Sequence, residues 1–409
     1  MSILCLELKR VLKTPVTLIL LLSCLLISLI MSYLPISYVH YNYLDSNGQN
    51  VTIAGAKAID LKKRIMVQGP ITSDKIQKAI KNYQEVTNKY GNIYADTVPQ
   101  NTYNKKILPV EYIINRLTAI YSDKKSGVTA DLNKISPYST GENFYKKYPE
   151  QIKDSLVQPS AQEQALNLYE KVNKPFEYIY GYGSSDASDY LVILIFLLVI
   201  IFTFITASIF SSEYQTGSDS ILRCTKHGRG KLAASKIISA ILICGITFTI
   251  CIFIFVMIEN NTFGWESLKT SLQSINGICL PALNVGQAQK ITIAAGMLTM
   301  LAVVSFNLFL SSRCKNTTNS LILSMVFFLL PLILSAISSN NITNWIQSIL
   351  PSAGAELASG FYYELTKLNF LSIGSFNFWS PYVMVTAEII AVPLFLILTV
   401  LCYCKHRSW

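Results

Sequence analysis

The chain of 409 residues reads as an all-α polytopic membrane protein. Six transmembrane helices are expected, with an amphipathic interfacial helix ahead of the first and a helix-rich domain between the first and second. Three observations carry that fold class. Hydrophobic residues make up 51% of the chain and charged ones only 14%, where a soluble domain has roughly 25% charged. Six apolar runs, at 16–34, 190–210, 237–258, 291–310, 320–337 and 382–403, match the roughly 20 residues a helix needs to cross about 30 Å of hydrocarbon. In lipid, every backbone polar group must be satisfied within its own segment, and at these lengths only a helix does that.

Taken in order, residues 1–15 alternate apolar Ile3, Leu4, Leu6, Leu8, Val11 and Leu12 with Glu7, Lys9, Arg10 and Lys13. That pattern predicts a helix lying in the cytoplasmic interface, ending where Pro15 can open the next helix. The run at 16–34 is longer than the apolar core of a signal peptide, and SYLPIS offers no small-residue cleavage site, so it reads as a retained first span.

Residues 35–189 hold 19 basic and 16 acidic side chains in a mixed pattern. Such a surface has no single-sign stripe and argues against a nucleic-acid partner. The segment contains no cysteine, so it must rest on an apolar core and not on disulfides. In Ser73–Tyr90, Ile76, Ile80, Tyr83, Val86 and Tyr90 recur every three or four residues, which predicts a helix. Ser73 and Asp74 supply its N-terminal caps and Gly91 its stop. Helices are also expected over 110–121, through Ile113, Leu117 and Ile120, and over 161–178, through Ala165, Leu168, Val172 and Phe176, limited by Pro175. Extended pieces are expected near 92–99, and TADLNKISPYSTGEN reads as turn-rich. The aromatics of this domain serve either core packing or a surface for peptide or lipid.

The short segments fix the orientation. Lys9, Arg10, Lys13, the five basic residues of the 211–236 loop, Arg313, Lys315, Lys405 and Arg407 fall on one side; only Lys269, Lys290 and Lys367 fall on the other. By the positive-inside rule both termini are cytoplasmic and 35–189 is external. Abundant Lys, Asn, Ile and Tyr point to a bacterial plasma membrane. The segments at 259–290 and 338–381 are apolar but too short to cross. The second, broken by Pro351, is expected to dip back into the membrane over 345–380 where protein shields its backbone.

Enzyme chemistry finds little support. His40, His227 and His406 are scattered, and neither H-E-x-x-H nor G-x-S-x-G occurs. GRGK at 228–231 fails the phosphate-loop spacing, since Thr225 and Leu232 stand where glycine and Ser/Thr are required. Cys402 and Cys404 form a C-x-C without a second half, so no metal site is expected. Inside the spans Glu388 stands out, because a carboxylate at that depth costs on the order of 3 kcal/mol. It either joins neighbouring helices by hydrogen bonds, lines a substrate path together with Asn307, or relays protons. Asn307 alone reads as helix packing and Pro331 as a kink.

Between the second and third spans lies SSEYQTGSDSILRCTKHGRGKLAASK, a basic loop with a short helix of its own. Together with the order of the elements, it resembles the membrane subunits of ABC exporters, the ABC-2 type permeases. Glu213, Gly217, Leu222, Thr225, Arg229 and Lys236 fall on that family's E…G…L…T…R…K pattern. The long first external segment, and within it ENFYKKYPEQI, is similar to the subset that includes sodium-efflux and antibiotic self-protection permeases. The resemblance implies a pair of permeases, as a homodimer or with a sister chain, on separate ATPase subunits that bring ATP and Mg; this chain itself would hold no cofactor. It also implies that Glu213, Arg223 and Arg229, with Gly217, Leu222, Thr225 and Lys236, form the ATPase-coupling interface. Positive-inside topology alone also accounts for the basic residues. The function expected is outward movement of an amphipathic peptide, antibiotic or lipid-like molecule. The alternatives are ATP-driven sodium efflux, or a sensor subunit whose external domain binds a ligand.

Overall fold

The computed structural model describes residues 3–93, 98–122, 129–224, 228–338 and 340–405. Among the described residues, six helices are long and apolar enough to cross a membrane: span 1 (Pro15–Ser37), span 2 (Ala187–Ala207), span 3 (Gly230–Phe263), span 4 (Val285–Arg313), span 5 (Thr317–Ile337) and span 6 (Ser380–Lys405). Each contains its expected apolar run apart from the last residues of span 2, and most extend past it into polar sequence. Span 3 runs five residues beyond 258 and so takes in Glu259.

Spans 2 and 4 are the interior pair. Their most apolar stretches are 72% and 61% buried, against 17–33% for the other four. Span 4 packs on spans 2, 3, 5 and 6, and span 1 packs on spans 2 and 3. The close approach of spans 2 and 4 uses Gly296, against which Ile195 is seated; small residues allow such contact where lipid offers no hydrophobic drive to association. A helix at Ile3–Lys13 precedes span 1, and Pro15 takes the first helical position, where its missing N–H costs nothing.

The large domain between spans 1 and 2 is mainly helical. Its helices are Ala56–Ile65, Ser73–Tyr90, Glu111–Tyr121, Pro137–Ser155 and Pro159–Tyr169. The second has the bounds its periodicity predicts. The expected helix over 161–178 ends at Tyr169 instead, and the chain then extends through Pro175 into a strand. The stretch read as turn-rich holds the start of Pro137–Ser155, whose Phe144, Tyr148 and Ile152 are buried at helical spacing. Of the extended pieces expected near 92–99, residues 94–97 lie outside those described. Two small antiparallel ribbons complete the domain: β1 (His40–Leu44) with β2 (Asn50–Ala54), and β3 (Gly69–Pro70) with β4 (Glu177–Tyr178). Phe144, Tyr145, Tyr148 and Phe176 meet edge to face with centroids 4.9–6.5 Å apart, which suits the ring quadrupoles.

The domain is tied to the loops between spans. Ser271 N donates to Glu177 O at 2.9 Å, Glu177 N to Ser271 Oγ at 3.0 Å and Ile179 N to Thr270 Oγ1 at 2.9 Å. Across a second seam, Gln164 Nε2 donates to Asn377 O at 2.8 Å. Asn377 belongs to the hairpin β5 (Phe370–Ile373) and β6 (Phe376–Trp379) that leads into span 6.

Before that hairpin, the helix Asn341–Ile349 and the turn at Ala353–Ala355 pass close to spans 4, 5 and 6. Pro331, inside span 5, has no N–H for the Phe327 carbonyl one turn back. The Ser352 hydroxyl donates to that carbonyl at 3.4 Å instead. Phe327 lies ten residues inside the end of span 5, a depth of about 15 Å along the helix.

Candidate functional site

At the end of the bundle away from the large domain, four charged side chains meet. Glu7 and Arg10 come from the first helix, Glu213 from the short helix Ser211–Thr216 after span 2, and Lys236 from the second turn of span 3. Arg10 Nη2 lies 2.8 Å from Glu7 Oε2, and Arg10 Nη1 lies 3.4 Å from Glu213 Oε1. Lys236 Nζ is 3.4 Å from Glu7 Oε2 and pairs directly with Glu213. The Lys236 side chain has no solvent exposure, while Glu213 and Glu7 keep 6% and 10%. Two carboxylates thus share one buried ammonium, with Arg10 closing the cluster from the half-exposed side. Ions held in low dielectric pair strongly, and removing one leaves the rest uncompensated.

The same end is locked to span 4. The Ser311 hydroxyl accepts from Phe210 N at 3.0 Å and Ser211 N at 3.1 Å, and donates to Ala207 O at 2.8 Å. It thereby satisfies backbone groups where span 2 breaks into the loop. Gly217, at φ +72°, then turns the chain between Ser211–Thr216 and Ser218–Arg223. That left-handed backbone favours glycine.

Among the expected coupling residues, Glu213 and Lys236 are therefore turned inward, Gly217 is an exposed hinge, Leu222 is half-buried and Arg229 is exposed. Arg223 ends the short helix; Thr225 lies outside the described residues. Sequence reasoning passed over Ile221, which is 73% exposed beside Leu222, and missed the partnership of Glu7 and Arg10 with the loop.

The intramembrane residues sit elsewhere. Glu388 is 2% exposed and accepts from Thr299 Oγ1 of span 4 at 2.7 Å. Gly354 lies directly above: a Cβ there would stand 2.8 Å from Glu388 Oε1 and overlap the Thr299 side chain. Glu388 is eight residues inside span 6, about 12 Å along the helix. Asn307 Nδ2 donates to Thr203 Oγ1 of span 2 at 3.1 Å, bridging the two interior helices. Glu388 and Asn307 are not brought together. Glu259, absent from the sequence-based set, is fully buried, and neither carboxylate oxygen has a hydrogen-bond partner among the described residues. One residue on, Asn260 and Gln289 exchange amide hydrogen bonds at 3.1 and 3.2 Å.

On the outer side of span 6, a groove of about 810 Å³ runs between spans 5 and 6 under the β5–β6 hairpin. Phe306, Phe327, Trp345, Tyr382 and Phe395 give it an apolar lining, and Gln164 of the large domain reaches its rim. Neither Glu388 nor Asn307 lines it. Among the described residues, no cluster of three or more His, Cys, Asp or Glu could hold a metal ion.

The model of a protein family described as ABC-2 family transporter protein matches residues 1–397. No curated protein matches the chain.

Proposed function

Because the chain belongs to the ABC-2 transporter family, and so is a multi-pass transmembrane subunit of an ABC transporter, we propose that it is the permease of an exporter for an amphipathic peptide, antibiotic or lipid-like molecule. The observation that carries the substrate class is the groove between spans 5 and 6. Its walls are aromatic and aliphatic apart from Thr386, and Gln164 of the large domain adds a polar group. A molecule with an apolar body and a polar end fits that lining.

In this reading the basic end is cytoplasmic, and separate ATPase subunits carrying ATP and Mg dock on it. The contact surface is the short helix Ser218–Arg223, with Ile221 as its apolar knob and Arg229 beside it. Glu213 and Lys236 do not touch the motor; they join the loop to the first helix and to span 3, so a push on the loop moves all three. The turn at 353–355 re-enters the membrane and closes over Glu388. A second permease chain, identical or a sister, completes the transporter.

Tagged protein taken from its native membrane in mild detergent is expected to carry an ATPase subunit with it. The double variant Ile221→Glu/Arg229→Glu should lose at least about tenfold of that subunit, equivalent to about 1.4 kcal/mol, with an unchanged melting profile. Wild-type protein that brings down no ATPase sinks the exporter reading.

Buried Glu259, whose carboxylate oxygens have no hydrogen-bond partner among the described residues, favours sodium as a second reading. It expects sodium to stimulate ATP hydrolysis and Glu259→Gln to abolish that stimulation. Sodium-independent turnover in wild type removes it.

A further inference from the structure

The helix Glu111–Tyr121 carries a cation, Arg116, that forms no ion pair among the described residues. Arg116 is half-buried as a residue, but its Nη1 is sealed from solvent and has no hydrogen-bond partner among the described residues. The titratable groups nearest it in electrostatic effect are Tyr148 and Cys279. Both are neutral at physiological pH, since burial drives the tyrosine well above its ordinary value and the thiol up to about 12. A guanidinium stays charged under any such condition, and desolvating one edge of it without a partner is costly.

Arg116 is also part of the wall of a cavity of about 300 Å³. Lys62, Glu111 and Asp186 share that wall with the hydroxyl side chains of Ser184 and Ser274. Glu111 acts on Lys62, raising its affinity for protons against the pull of burial, which leaves Arg116 and Asp186 as the other two charges of the wall. Asp186 and Ser184 are exposed and stand at the mouth. Tyr112 and Tyr178, stacked with centroids 3.4 Å apart, form the buried apolar side of the wall.

We propose that this cavity is a binding site for a small carboxylic acid, with Arg116 holding the carboxylate and the tyrosines receiving the body of the molecule. Carboxylate is favoured over phosphate because Glu111 and Asp186 in the same wall tolerate one added negative charge better than two. A planar carboxylate also matches the fork of a guanidinium. The wall comes from three places: the large domain, the turn at 183–186 that leads into span 2, and Ser274–Ile275 between spans 3 and 4. A bound acid therefore clamps the domain to the start of span 2, which makes the cavity a place from which a small metabolite regulates the transporter. The inference rests on this cavity and holds whether or not an amphipathic molecule is the cargo.

The full-length protein in detergent micelles is tested with acetate, benzoate, N-acetylglycine and N-acetyl-L-leucine at millimolar concentration, each beside its amide and beside inorganic phosphate. At least one acid is expected to raise the melting temperature and to slow hydrogen exchange in 111–121 and 182–186. Its amide should do neither, and phosphate should act more weakly. Arg116→Gln should abolish the response, and Arg116→Lys should weaken it by losing the two-pronged geometry. If Arg116→Gln does not fold, the acid and amide pairs on wild-type protein still decide. The proposal is overturned if no acid acts, if amides act equally well, or if folded Arg116→Gln responds like wild type.

Discussion

Lys236→Met is expected to destabilise the protein by about 3–5 kcal/mol, the usual cost of removing one partner from a buried ion group. Lys236 is the only fully buried cation of its cluster, and without it Glu7 and Glu213 are left side by side with half-exposed Arg10. The strain falls at the junction of the first helix, the loop and span 3, so ATP hydrolysis should continue while transport stops. Melting in detergent and coupled transport in vesicles check the two halves. The triple variant Glu7→Gln/Glu213→Gln/Lys236→Met should regain most of the lost stability, because a neutral packed group frequently replaces a buried ion group at little cost. It should not regain coupling if the charges act as a joint. A single variant that melts like wild type would mean the cluster is hydrated and of little consequence.

Gly354→Val is the second large effect. The added atoms have no room beside Thr299 and Glu388, and overpacking a tight interior costs about 1–3 kcal/mol. The turn at Ala353–Ala355 must then lift away from spans 4 and 6, carrying Ser352 off the Phe327 carbonyl. Faster hydrogen exchange in 350–360 and reduced transport are the expected readouts. Pairing the milder Gly354→Ala with Thr299→Ala should recover part of the loss, with an interaction energy above about 0.5 kcal/mol, as neighbouring sites do. Strict additivity would show that the two residues do not press on each other.

The spans were legible because uninterrupted apolar sequence of that length has one structural outcome in lipid. Ser73–Tyr90 was legible because its stripe runs its full length and Gly91 ends it. Its N-cap is Thr72, however, with Ser73 and Asp74 inside the first turn and not capping it. Pro137–Ser155 was not. Its stripe of Phe144, Tyr148 and Ile152 is present, but Pro137, Gly141 and Pro149 punctuate it like a loop, and packing against Ser73–Tyr90 overrides that punctuation. Glu259 was missed because a charged residue ends an apolar run on paper, while the helix continues and buries it. The loop residues show the same limit more sharply. Glu213 and Lys236 are 23 residues apart, and the positive-inside pattern assigns lysines to the water side. Only the return of the first helix beneath the loop turns Lys236 into a buried partner. Arg116 carried no signal at all, since a lone arginine on an amphipathic helix is ordinarily a solvated one.

The seam at Ser267–Ser271 also bears on how the protein is made. β4, besides its pairing with β3, and the turn after it obtain hydrogen bonds from residues up to 94 positions later. Translation at about 5–20 residues per second places some 5–20 s between the two sides of that seam. During that interval the large domain is complete in sequence but has Glu177, Ile179 and Tyr182 unpaired along one edge. Its final closure thus waits for span 3 to be synthesised and inserted. The growing chain passes through a state with an open strand edge, and that nascent state is where chaperones and proteases of the membrane have their opportunity.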